Sequence, residues 1–370
     1  MRIKKLMSLI NSLEGDFFTG VPDSLLAPLC DFLLREYGTG KKHIVAANEG
    51  AAVGLAAGHY LATGKPAVVY MQNSGLGNAV NPVCSLLKIY KIPAIFIIGW
   101  RGEPDVPDEP QHVFQGQVTT DLLELLQIPY KIISSKEDNL DIRDFDAYIK
   151  KGESVAFVVK KSALEAEDPK QEVKDSLALS REKILEIILG KTDNRDIFVC
   201  TTGKLSREVF EIRERLNLGH SQDFLTVGSM GHSSVIACGI AVNKPKSRVF
   251  CLDGDGAVLM HMGSLAVIGE LAPNNLIHIV INNGAHESVG GMPIAQYEMT
   301  EAAKALGYKH VLRAASEAEL INALKALSPP DGPVFIEAVS NLQSRKDLGR
   351  PTTDTLENKQ EFMAFLQLRD

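Results

Sequence analysis

Short, uniformly apolar runs alternate with stretches of helical periodicity along the whole chain. In the first half the runs are GDFFTGVP, HIVAAN, KPAVVYMQ, IPAIFIIG and ESVAFVVKK, with helices expected from Asp23 and from Glu49. A strand with one wet face alternates polar and apolar residues, whereas these runs are apolar at nearly every position. They read as strands covered on both faces, the pattern of a parallel sheet flanked by helices.

The alternation breaks at SALEAEDPKQEVKDSLALS, which is charged, poor in large apolar residues and interrupted by Pro169. It restarts with RDIFVCTTG, DFLTVGSMG, RVFCLDGDG, NLIHIVINNG and GPVFIEAVS, with helices expected from Lys204 and His232. Both halves repeat one rhythm: a small-residue helix, a Lys-Pro turn, a buried strand and a Gly-rich end. The expectation is α/β, with two similar open, mostly parallel-sheet domains at 1–165 and 181–370 and a linker at 166–180.

A chain of 370 residues has room for two such domains. Hydrophobic content of 45%, charged content of 23% and mean hydropathy near zero describe a well-packed globular protein. The net charge of −7 argues against nucleic acid or an anionic membrane as partner, and leaves small anionic substrates open. Cys30, Cys84, Cys200, Cys238 and Cys251 form no CxxC pair, and several lie in apolar runs, so buried free thiols are expected. The opening MRIKKLMSLINSLEGDFF is too polar for a secretory signal, and no window approaches the ~18 apolar residues of a membrane span. A cytoplasmic protein is expected.

Parallel sheets gather ligands at the carboxyl ends of their strands. Three second-half runs end in Thr-Thr-Gly (201–203), Gly-Ser-Met-Gly (228–231) and Gly-Asp-Gly (254–256). Glycine lets backbone N–H groups approach an anion, and a following helix N-terminus favours negative charge, so a phosphate or diphosphate is the natural guest. The dinucleotide pattern fails, because GDGAVL has Leu259 and GLGNAV has Val80 where a small residue is needed. No phosphate-binding loop of the nucleoside triphosphatase type is present either.

Asp255 and Asn282 each follow a strand of one β-α-β unit and are expected side by side. With a free carbonyl near Gly284 they make a hard oxygen set suited to magnesium or calcium. Either Asp-Gly or Asn-Gly alone would make an ordinary turn; two such ends at this spacing point to a site. Gly254-Asp255-Gly256 followed by Asn282-Asn283 resembles the cofactor motif of the thiamine diphosphate-dependent decarboxylase superfamily. The resemblance implies that Asp255, Asn282 and the Gly284 carbonyl hold magnesium. It also implies that Ala257 covers the diphosphate and that Met230 supports the bent cofactor, with Thr202, Gly228 and Ser229 in the lining strand ends.

The same chemistry requires a carboxylate against the aminopyrimidine ring, where it exchanges a proton. Glu49, between an apolar strand and an alanine- and glycine-rich helix, matches that position. Taken alone, it reads more readily as a glutamate in a helix's first turn. The resemblance implies a homodimer at least, with active sites at the subunit interface, the glutamate domain of one chain facing the diphosphate domain of the other.

Five segments narrow the resemblance: FFTGVPDSLLAPL (17–29), residues 47–83, DEPQH (108–112), NNGAHESVGG (282–291) and SRKDLGRPTTDTLENK (344–359). Together they resemble the phosphonopyruvate decarboxylases more closely than their sulfopyruvate relatives. Met292 stands where a glutamine is expected. The implied reaction is decarboxylation of 3-phosphonopyruvate to phosphonoacetaldehyde and CO2 in phosphonate biosynthesis. Decarboxylation of sulfopyruvate and carboligating transfer are the alternatives. A small 2-oxo acid with two acid groups requires cations, for which Arg101, Arg345, Lys346 and Arg350 are candidates. Ser24, Asn73 and Ser74 are candidate substrate donors, and His112 and His286 candidate proton donors.

Overall fold

The computed structural model describes residues 1–135, 140–166, 179–289, 291–327, 331–345 and 347–369. Most of the expected linker, at 167–178, and Lys346 lie outside them. The chain divides into two compact units, Met1–Glu172 with His286–Ala295, and Val173–Ala285 with Gln296–Asp370.

The first unit is built on β1 (Phe18–Gly20), β2 (His43–Val45), β3 (Ala67–Gln72), β4 (Ala94–Gly99), β5 (Tyr130–Ile133) and β6 (Val155–Val159). All pair in parallel, in the order β2-β1-β3-β4-β6-β5. The second unit uses β7 (Ile197–Cys200), β8 (Asp223–Leu225), β9 (Val249–Gly254) and β10 (Leu276–Asn282). After a two-stranded ribbon of β11 (Ala285–His286) and β12 (Met292–Pro293) it adds β13 (His310–Ala314) and β14 (Val334–Val339). Its sheet is also wholly parallel, ordered β13-β14-β10-β9-β7-β8. Numbered within each unit, both sheets read 2-1-3-4-6-5, so the shared rhythm of the two halves corresponds to one topology used twice.

Each central strand feeds two cores, because successive side chains point to opposite faces. Val68, Tyr70, Ile95, Ile97 and Phe157 enter one core of the first unit, and Val69, Met71, Phe96, Ile98 and Val158 the other. In the second unit Leu252, Ile277, Ile279 and Ile336 face one side, and Cys251, Leu276, Val280 and Phe335 the other. Each fully buried side chain of this kind contributes roughly 1.5–3 kcal/mol.

The expected helix from Glu49 spans Glu49–Thr63, capped by Asn48, whose Oδ1 accepts from the Ala51 N–H at 2.8 Å, and ended by left-handed Gly64. The helix expected from Asp23 starts later, at Ala27–Tyr37, where Pro28 suits the first turn. Met292 is fully buried in the first unit's core with Leu29, Leu33 and Val68, which gives that position a packing role. Cys30, Cys200, Cys238 and Cys251 are buried free thiols and Cys84 is exposed. Among the described residues no helix is long and apolar enough to cross a membrane.

Candidate active site

In the first unit the ligand-facing strand ends are those of β1, β3 and β4, neighbours in the sheet, with β2 beyond β1. Glu49 opens the helix that follows β2, and its carboxylate is buried. Asn78 donates from Nδ2 to Glu49 Oε2 at 2.7 Å. On the other side stands Gly75, where a Cβ would lie 2.4 Å from Glu49 Oε1. The space for this carboxylate therefore depends on a missing side chain.

Ser24, Asn73, Ser74 and Arg101, read separately from the sequence, are joined in one network. Asn73 donates from Nδ2 to the Arg101 carbonyl at 2.8 Å and to Thr119 Oγ1 at 2.9 Å, while its Oδ1 accepts from the Arg101 N–H at 3.2 Å. Arg101 Nη1 donates to Ser24 Oγ at 3.3 Å. Ser74 donates to Gln72 Oε1 at 2.7 Å, and Gln72 Nε2 to Asp23 Oδ1 at 2.6 Å. Asp23 is fully buried, which pushes its carboxyl above the ordinary range, against the hydrogen bond from Gln72 and the charge of Arg101.

Arg101 is not a bare cation. Its Nε donates to Asp108 Oδ2 at 2.7 Å and its Nη2 to Oδ1, a bidentate pair. Burial works to raise the Asp108 pKa, but Arg101 and the N–H groups of Glu109 and Gly102 outweigh it and hold it well below the usual range. His112 is buried; burial first, then the Arg101 charge, lower its pKa to about 4. Burial also lowers His286 to about 4. Both rings are neutral imidazoles at pH 7.

In the second unit, register pairs Ile281 with Gly254, so Asp255 and Asn282 fall one step further along adjacent strands. Asp255 Oδ2 accepts from the N–H groups of Asn283 (3.0 Å) and Gly284 (2.7 Å), and Oδ1 from that of Gly256 (2.7 Å). The Gly284 N–H also donates to Asn282 Oδ1 at 3.0 Å, so the two side-chain oxygens converge on one amide. Gly284 takes φ +72°, a left-handed turn that suits glycine, and its carbonyl accepts from Gln296 Nε2 at 3.4 Å.

These residues fit a hard divalent cation. Asp255 is buried, and among the described residues no cationic side chain lies at ion-pair distance. Burial raises its pKa to about 6 despite three N–H donors, with the Asp253 charge adding to the rise. The neighbouring Tyr297 hydroxyl is buried with no hydrogen-bond partner among the described residues, and burial with the charges of Asp255, Glu337 and Asp253 pushes it up to about 12. Uncompensated negative charge beside convergent oxygens is the donor set a magnesium ion satisfies. The strand ends at Gly203 and Gly254 are open, since a Cβ on either would meet no atom within 4 Å.

The other expected contacts occupy neighbouring strand ends. Thr202 donates from Oγ1 to the Val227 carbonyl at 2.7 Å, tying the end of β7 to the turn after β8. In that turn Gly228 and Met230 are half-buried, and Ser229 takes a left-handed φ of +54°. Gly256 and Ala257 are buried in the helix Asp255–Met260. Arg345 is held by three carboxylates: Nε donates to Glu182 Oε2 at 2.9 Å, Nη1 to Asp347 Oδ1 at 3.4 Å, and Nη2 to Glu211 Oε2. With Arg207 donating to the carbonyls of Leu348 and Gly349, it anchors the tail to the helix Lys204–Leu216. Arg350, one residue on, is exposed.

Several residues of these sites had not stood out in the sequence: Gly75, Asn78, Asp108, Asp253, His278 and Glu337. Asp108 lies in DEPQH, Gly75 and Asn78 in the 47–83 segment and Asp253 in RVFCLDGDG, but none carried a local sign of its role. His278 is buried in a chain in which its Nδ1 meets Tyr308 Oη at 3.0 Å and its Nε2 faces Asp253 Oδ2 at 3.4 Å.

The N-terminal TPP binding domain of thiamine pyrophosphate enzymes matches residues 4–125, and the C-terminal TPP binding domain matches 201–338. A phosphonopyruvate decarboxylase of Streptomyces viridochromogenes is 34% identical over 94% of this chain and 90% of its own. That of Streptomyces hygroscopicus is 33% identical over 94% and 89%. A sulfopyruvate decarboxylase of Methanosarcina acetivorans is 29% identical over 74% and 75%. Glu49 and Asp255 fall within the two matched domains, and the likeness to the Streptomyces enzymes runs nearly the length of the chain. The chain therefore belongs to the phosphonopyruvate decarboxylase family of thiamine pyrophosphate-dependent carboxy-lyases.

Proposed function

We propose that this protein decarboxylates 3-phosphonopyruvate to phosphonoacetaldehyde and CO2, using thiamine diphosphate and magnesium, as a cytoplasmic step of phosphonate biosynthesis. The observation that carries the reading is the convergence of Asp255 and Asn282 on the Gly284 amide, an anionic oxygen cluster with no cationic side chain at ion-pair distance among the described residues. Asp255, Asn282 and the Gly284 carbonyl would hold the metal. Thr202, the 228–230 turn and Gly254–Ala257 would line the diphosphate.

Bound thiamine diphosphate supplies an electron sink for the pair released as the carboxylate leaves. The chain's own work is positioning and proton handling. Asn78 engages Glu49 Oε2, which leaves Oε1, the oxygen against Gly75, to hold the exchanged proton. Ser24, Ser74 and Arg101 face the substrate, with buried Asn73 holding the Arg101 backbone from behind and the Asp108 carboxylate fixing the guanidinium. Arg345 is compensated by its carboxylates and serves to seat the tail.

A homodimer supports this chemistry, with Glu49 of one chain meeting the diphosphate site of the other. The helix that begins at Glu49 leaves Ala51, Gly54, Leu55, Gly58 and Leu61 exposed at helical spacing, an apolar face suited to a second copy. The likeness to the Methanosarcina enzyme favours sulfopyruvate as the second reading.

Side-by-side kinetics with phosphonopyruvate, sulfopyruvate and pyruvate test the assignment. Release of phosphonoacetaldehyde with phosphonopyruvate strongly preferred is expected; a preference for sulfopyruvate moves the assignment to the second reading. Glu49→Gln should retain cofactor binding and lose about 10²–10⁴-fold in turnover. Unchanged turnover would remove Glu49 from the chemistry.

A further inference from the structure

Glu337 is a charge in an apolar strand. It interrupts VFIEAV, the sequence of β14, and its side chain is buried on the face shared with Phe335. Taking a carboxylate out of water is costly unless strong partners compensate. Among the described residues its cationic partner is Arg313, whose Nε lies 3.6 Å from Oε2; Arg313 is largely exposed, so that pair offers little.

The partner that explains Glu337 is Asn282. Register pairs Glu337 with Val280 across β14 and β10, and Asn282, two residues further on, lies on the same face. Asn282 Nδ2 donates to Glu337 Oε1 at 2.7 Å. Its Oδ1 accepts from the Gly284 N–H at 3.0 Å, on the side of Asp255. A flipped amide would set oxygen against the Glu337 carboxylate and NH2 against the Gly284 N–H, losing both bonds and adding two repulsions. Only one of the two amide orientations is therefore compatible with Glu337.

We propose that Glu337 is a positioning residue for the cation site: it holds the Asn282 amide with oxygen toward the metal, and its charge makes that oxygen a better donor. The inference rests on the reading of Asp255, Asn282 and Gly284 as a magnesium site. Partners that orient a ligand commonly govern metal affinity by 10–100-fold.

The test is calorimetric titration of Mg2+ into metal-stripped protein holding thiamine diphosphate, with thermal melts to verify folding. Glu337→Met should weaken Mg2+ binding about tenfold or more. Glu337→Gln retains an acceptor for Asn282 and should recover most of that loss. Arg313→Ala should bind as the parent protein does. In an Asn282→Ala background, Glu337→Met should add no further loss, because the residue it acts through is gone. Should Glu337→Met fail to fold, Glu337→Asp, whose carboxylate is one methylene shorter, replaces it in the same comparison. Parent-like affinity in Glu337→Met, or losses that add fully in the double variant, would overturn the proposal while leaving the cation site standing. Parent-like affinity in Asp255→Ala and Asn282→Ala would instead remove the cation reading, and this proposal with it.

Discussion

Glu49 and Gly75 are in contact so close that no side chain fits between them: a Cβ on Gly75 would lie 2.4 Å from Glu49 Oε1. Gly75 has an ordinary right-handed backbone, so it is needed for space and not for conformational freedom. Gly75→Ala should therefore displace the carboxylate without unfolding the chain. Turnover should fall at least about tenfold while Mg2+ affinity at Asp255 is unchanged, as read by steady-state kinetics beside calorimetry. Parent-like turnover would show that the carboxylate has room to move.

Asp108→Asn keeps the shape beside Arg101 and removes the charge that fixes it. A loss on the order of 1–3 kcal/mol is expected from the half-buried bidentate pair. The folded pKa of Asp108 lies below its unfolded value of about 4. Its stabilisation is present above that unfolded value and is lost as pH falls through the lower, folded one. The acid limb of a melting-temperature profile should be shallower in Asp108→Asn than in the parent. The KM for phosphonopyruvate should also change, since Arg101 loses its anchor.

His112 makes the same kind of prediction at milder pH. Its folded pKa is about 4 and the unfolded value about 6.5, so the unfolded chain binds the proton more readily. Its contribution is fully present above about pH 6.5 and falls away as pH drops toward 4. Replacing it as His112→Gln should flatten stability between those values, by roughly 1–3 kcal/mol at the acid end. Chemical denaturation at pH 7 and pH 4.5 measures this, and equal pH slopes in both proteins would refute it.

Arg345→Met removes the bonds from the tail to Glu182 and Glu211 and leaves the Arg207 anchors in place. Faster cleavage near residues 342–351 in limited proteolysis is expected, with the KM for substrate unchanged. A KM raised tenfold with no change in proteolysis would return Arg345 to the substrate.

The central strands are legible in the sequence because residues buried on both faces have no polar alternation to disguise them. Among the strands of the two six-stranded sheets, the pattern missed β5 and β13, the fifth of each sheet, which lie at equivalent sheet edges. An edge strand is half-wet, so Lys131 in one and His310 and Arg313 in the other break the apolar run. Asp255 and Asn282 were legible for a different reason: their neighbours are small, polar and close in sequence to the strand ends they serve.

The amino-acid order alone determined the doubled parallel architecture and the oxygen-rich ends of β9 and β10, since burial and turn chemistry act over a few residues. Tertiary structure decided the rest: Gly75 against Glu49, Asp108 on Arg101, Glu337 behind Asn282 and the carboxylates that seat Arg345. Gly75 with Glu49, Glu337 with Asn282 and Arg345 with Glu182 and Glu211 join segments far apart in sequence, and such partners are chosen by sheet order and register, which no local window contains; Asp108 and Arg101 share one loop, but its fold decides that they pair.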